Sequence, residues 1–129
     1  MDFDTKVIAI LVAGLTAVGV VHGTAHVMVV LIPPVADLAF IIAVVFAAPL
    51  VALALRLRGR RRGADLLLLA SMIGSLAYGV GNDHVLVGPD NVSAVSPEGW
   101  GSVFQASAAL LAAVEVFGLA AALAALRRG

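Results

Sequence analysis

Four stretches of this chain stay apolar for about the 20 residues that a helix needs to cross a bilayer. They cover roughly residues 7–32, 35–55, 66–87 and 102–126. The first stops at Pro33-Pro34, and the third starts after Asp65. Asp37 and Asp65 fall near predicted helix N-termini, where a carboxylate suits the helix dipole. Pro49 lies inside the second span and predicts a kink that neighbouring helices can accommodate. The pattern predicts an all-α, integral membrane four-helix bundle in a single domain.

Composition points the same way. Of the 129 residues, 62% are hydrophobic, and the mean hydropathy is +1.10. Soluble domains are roughly 45–50% apolar, so a soluble core could not absorb the excess. Cysteine is absent, which removes disulfides, thiolate metal sites and thiol catalysis. The net charge is zero, so nothing suggests a nucleic-acid partner. The N-terminal MDFDTK is acidic, and the apolar run after it is too long for a signal-peptide core. The expectation is a retained first membrane helix.

Charge placement orients the bundle. The basic residues are Lys6, Arg56, Arg58, Arg60, Arg61, Arg62, Arg127 and Arg128, all near the termini or between spans two and three. The positive-inside rule then puts both termini and the RLRGRRRG loop in the cytoplasm, and the Pro33-Pro34 turn and the Gly88–Gly101 loop outside. This is the signature of a multi-pass cell-membrane protein. The arginines are needed for topology; binding of anionic lipid headgroups is a sharper reading of the same cluster. Trp100 stands where an interfacial anchor is expected. Asn91-Val92-Ser93 matches the short glycosylation pattern.

Within the spans, small and polar residues fall in stripes. Gly19 and Gly23 form a G-x-x-x-G, which favours close helix approach. At helical spacing His22 and His26 share that face. Span three carries Ser71, Gly74, Tyr78 and Gly81, with His84 at the edge, and span four carries Gln105, Ala108, Ala112 and Glu115. Span two has no such stripe between Asp37 and Arg56, which suits a lipid-facing or scaffolding helix. The topology gathers His22, His26, Tyr78, His84 and Gln105 into the outer half of the bundle, with Glu115 near its middle. A His22–Glu115 hydrogen bond is expected to be within reach. Asp83 points away from Tyr78 on a continuous helix, but GVGND is glycine-rich and can unwind. Asp83 joins Tyr78 and Gln105 as a supporting polar residue of the cluster, while a solvated rim of Asp83, Asp90 and Glu98 is favoured over a cation funnel.

The segments YGVGNDHVLVGPDNV and FQASAALLAAVEVFG resemble small uncharacterised four-helix membrane proteins of haloarchaea and some bacteria. The matching positions are Tyr78, Gly79, His84, Gly88, Pro89, Asp90, Phe104, Gln105 and Glu115. The resemblance covers the C-terminal half. It implies a shared fold and carries no activity.

Ionisable groups inside a membrane are functional candidates by default. H-x-x-x-H on a helix is a workable half of a metal site. His84 would supply a third ligand, and Glu115 a ligand or an orienting partner. Zinc, copper(II) and non-haem iron suit such an N/O set, and haem is a further way to use histidines from two different helices. Gly23 stands where a zincin would carry its glutamate. A buried hydrogen-bond network fixing helix register uses the same residues, as does a proton or solute pathway. Three classes follow: a metal- or haem-binding membrane protein, a non-catalytic accessory subunit of a larger complex, or a small transporter that dimerises. No P-loop, nucleophile–base pair or other catalytic motif indicates an enzyme.

Overall fold

The computed structural model describes residues 1–128. Four helices are long and apolar enough to cross a membrane: α1 Phe3–Met28, α2 Val35–Leu57, α3 Arg61–Val85 and α4 Trp100–Arg128. No strand occurs among the described residues, and Val92–Ala94 adds a short 3-10 turn. α4 packs against α1 and α3, and α3 against α2; α1 and α2 touch less. An apolar core of Ile8, Val12, Leu15, Ala52, Leu68, Met72 and Ala122 fills the half of the bundle nearer the termini.

The helix limits differ from the hydrophobic runs, and local chemistry explains why. Asp2 caps α1 by accepting from the Thr5 N–H at 2.7 Å, so the helix starts ahead of the apolar residues. The bonds from Thr5 hold the Asp2 carboxyl below the usual carboxylate range. α1 ends at Met28, short of the proline pair. There Val30 takes φ 62°, and Leu31 N–H reaches back to the His26 carbonyl at 2.8 Å. This is a Schellman-type stop with valine where glycine is usual.

The expected disruption at Pro49 takes a defined form. Ile41–Ala47 is π-helical. Ala48 N–H bonds to the Ala43 carbonyl. In that register the Val44 carbonyl would need an N–H from residue 49, which proline lacks. Ser71 of α3 satisfies it instead, its hydroxyl donating to Val44 O at 2.6 Å. The polar residue on span three thus closes a gap that the proline opens in span two.

The two termini and the α2–α3 turn sit at one end of the bundle, tied by ion pairs. Arg56 is 6% exposed. Its guanidinium pairs with Asp65, donates to Thr5 Oγ1 at 3.0 Å, and lies 3.8 Å from Asp2 and 3.7 Å from Asp4. Arg61 reaches Asp2 at 2.9 Å and Arg128 reaches Asp4 at 2.6 Å. Arg56 is therefore more than a topology charge, and Asp65 serves this pair from within the second turn of α3.

Glycine packing is selective. A Cβ on Gly19 would stand 2.9 Å from the Phe46 ring, and one on Gly74 3.1 Å from Val44. The expectation that Gly23 and Gly81 are packed is corrected: a Cβ at either meets nothing within 4 Å. Gly23 borders a cavity between α1 and α2. The tightest approaches are Gly101, where a Cβ would collide with the Ser96 carbonyl oxygen, and Gly118, where it would stand 2.5 Å from Met72 Sδ.

Candidate metal centre

The polar residues converge at the end of the bundle opposite the arginines. Here α1 and α3 finish and α4 begins. His22 lies six residues before the end of α1, about 9 Å along its axis. It is 8% exposed. Its ring stacks on Phe104 with centroids 5.1 Å apart, and His26 meets the same phenyl edge-on at 4.8 Å. The two imidazoles touch edge to face at 4.7 Å. Phe104, fully buried, fixes both ring planes.

Asp83 completes the group because the end of α3 widens. Gly81–Val85 is π-helical, and the wider turn changes which residues face inward. Asp83 becomes buried, at 6% exposure, with Oδ2 3.5 Å from His22 Nε2. The reading of Asp83 as a solvated rim residue is thereby corrected. The same turn leaves His84 exposed, so the expected third histidine is not part of the cluster. One donor atom each from His22, His26 and Asp83 lies within 4.8 Å of the others.

The hydrogen bonds assign the imidazole nitrogens. Ser107 Oγ donates to the Phe104 carbonyl at 3.1 Å, and its hydroxyl has one proton to give. With that proton on the carbonyl, the 3.0 Å contact with His22 Nδ1 is read as Nδ1–H donating to the hydroxyl. His26 Nδ1 faces the Leu31 carbonyl at 3.3 Å, an acceptor only, so it too carries a proton. In the neutral rings both Nε2 atoms are left with lone pairs. A lone pair facing a carboxylate oxygen is repulsive unless a cation, whether a metal ion or a proton, lies between them. The strained Val30 turn has a purpose in this arrangement, since it carries the Leu31 carbonyl back to His26.

Other expected residues have different work. Gln105 Nε2 donates to the Val92 and Val95 carbonyls, each at 2.9 Å, pinning the α3–α4 loop. Tyr78 packs on Phe40 at 5.0 Å. Asn91 accepts from Ser93 N–H at 3.0 Å and donates to Leu86 O at 2.9 Å, shaping the same loop. The expected His22–Glu115 bond is not formed, because both His22 nitrogens face Ser107 and Asp83. Glu115, 2% exposed, lies eight residues beyond Ser107, about 12 Å further along α4. His22, Asp83 and Glu115 line one cavity of about 520 Å³. Ser107 and the Leu31 carbonyl have no place in the sequence-based expectations, and Phe104 enters them only as a position of the resemblance. The i, i+3 spacing of Phe104 and Ser107 on a small-residue stripe was the available signal. Histidines from two helices, as a haem would use them, do not meet here, since His84 of α3 lies outside the cluster.

Comparison with protein families, with curated proteins and with solved structures finds no match to this chain. The functional reading therefore rests on the geometry of the cluster.

Proposed function

We propose that this is a small multi-pass membrane protein that binds a divalent transition-metal ion through His22, His26 and Asp83. One observation carries the reading. Nδ1 of each histidine faces a protein oxygen, and Nε2 of His22 stands as the free donor beside the buried Asp83 carboxylate. Metal-binding histidines are oriented in this way, with the second ring nitrogen held by a hydrogen bond. A metal about 2.1 Å from two donors at a tetrahedral angle holds them about 3.4 Å apart; the His22–Asp83 pair stands at 3.5 Å.

Two nitrogens and one carboxylate oxygen leave coordination positions open, as in zinc hydrolases and non-haem iron sites. The open side faces the cavity. The placement of the basic residues supports an orientation with the arginine end in the cytoplasm and the metal centre toward the outer face.

The test is metal content of the purified protein after loading with zinc and removal of excess. The reading expects one ion per chain in the wild type and loss of that ion in His22→Ala and Asp83→Ala. Retention of the ion in both variants would exclude the site. Wild type that binds no zinc, copper, iron or cobalt would leave a proton as the cation between His22 and Asp83.

A further inference from the structure

The metal centre occupies one corner of the cavity, and the rest is built differently. Its deeper wall carries Ser75 and Glu115. Ser75 is 1% exposed, and its hydroxyl has no hydrogen-bond partner. A serine in a helix can bond its own backbone, as Thr16 does to Val12 O at 2.8 Å. Ser75 makes no such bond, and its buried hydroxyl lies beside the Glu115 carboxyl instead. Glu115 shares that wall. Asp83 and Asp90 also line the cavity, and no lysine or arginine does among the described residues. The polar groups therefore call for a positively charged guest.

The rest of the lining is apolar: Val20, Val27, Ile42, Val45 and Phe46 among others. Val20, Val27 and Ile42 are 56% or more exposed, so these apolar walls reach the outer surface of α1 and α2. The cavity volume of about 520 Å³ is in the range of small-molecule sites. A bare metal ion would find too few oxygens at Ser75 and Glu115 and would leave the apolar walls empty.

We propose that the cavity binds a small lipophilic ammonium ion, entered from the bilayer. Its N–H groups meet the Glu115 carboxylate and the Ser75 hydroxyl oxygen, and its apolar body lies along α1 and α2. This goes beyond the metal reading and does not depend on it.

The experiment uses the full chain in detergent with chelator present, so that no metal takes part. The probe is 4-phenylbutylammonium, compared by calorimetry with 4-phenylbutanol and 4-phenylbutyrate. Saturable one-to-one binding of the ammonium is expected, with the alcohol and the carboxylate at least tenfold weaker. Glu115→Gln should weaken the ammonium at least tenfold and Ser75→Ala several-fold. Gly23→Leu places a side chain into open space at the cavity wall without touching the polar groups, and should block the probe while the helical spectrum persists. It serves as the deciding variant if Glu115→Gln fails to fold. Equal binding of amine and alcohol would overturn the proposal in favour of a neutral lipid chain. Absence of saturable binding to wild type, or binding that survives Gly23→Leu unchanged, would overturn it as well.

Discussion

Ser107→Ala tests the assignment of the imidazole protons without touching a ligand. In the wild type, the Ser107 hydroxyl gives its proton to Phe104 O and receives one from His22 Nδ1–H. Alanine removes the acceptor. His22 then has a buried Nδ1–H with no partner, at a desolvation penalty of about 1–3 kcal/mol. The ring can escape that penalty by moving the proton to Nε2, where Asp83 Oδ2 waits at 3.5 Å. The new Nε2–H···Asp83 bond uses both donors that the metal needs. Loss of an orienting partner of this kind lowers metal affinity by about 10–100-fold, which is about 1.4–2.7 kcal/mol. Competition for zinc against a fluorescent chelator measures it directly, with Ser75→Ala as a control in the same bundle that leaves His22 untouched. Thermal stability of the metal-free protein should fall by no more than about 1–2 kcal/mol. If Ser107→Ala binds zinc within threefold of wild type, the tautomer argument is wrong.

Three further outcomes follow from the packing. Arg56→Leu should destabilise the fold by about 3–5 kcal/mol, because Asp65 is left buried without its partner. The Arg56→Leu, Asp65→Leu double variant should recover most of that loss, and additive effects in denaturant unfolding would contradict the pairing. Gly101→Ala should lose about 3 kcal/mol, since its Cβ would collide with a backbone carbonyl, whereas Gly23→Ala should gain about 0.5–1 kcal/mol from helix propensity; similar melting points for the two would refute the assigned contacts. Val30→Gly relieves a left-handed valine and should raise stability by about 1 kcal/mol, with zinc affinity kept as long as Leu31 O still faces His26. A drop in stability would show that Val30 does not hold that conformation.

Much of this architecture was legible because membrane spans announce themselves through length and hydropathy. The shared face of His22 and His26 was legible too, since i, i+4 spacing fixes it in any regular helix. What escaped the sequence lies where the helices depart from regularity. The π-turn at Gly81–Val85 exchanges Asp83 for His84 at the site, and no periodicity argument made with 3.6 residues per turn reaches that result. Gly19 and Gly23 look equivalent in sequence, yet one meets Phe46 and the other borders open space. The difference is set by where α1 and α2 separate, which is a tertiary property. Arg56 was read with its neighbours as a topology charge. Its burial depends on Asp2, Asp4 and Asp65, which distant parts of the sequence bring to it.

The claim on which the account turns is that His22, His26 and Asp83 bind one metal ion together. X-ray absorption at the cobalt or zinc edge of the loaded protein measures this most directly. The account predicts a shell of nitrogen and oxygen at about 2.0–2.2 Å, with outer-shell scattering from two imidazoles. One imidazole should disappear in His26→Ala. A bound ion whose spectrum shows no imidazole scattering, or the same two imidazoles after His26→Ala, would contradict it.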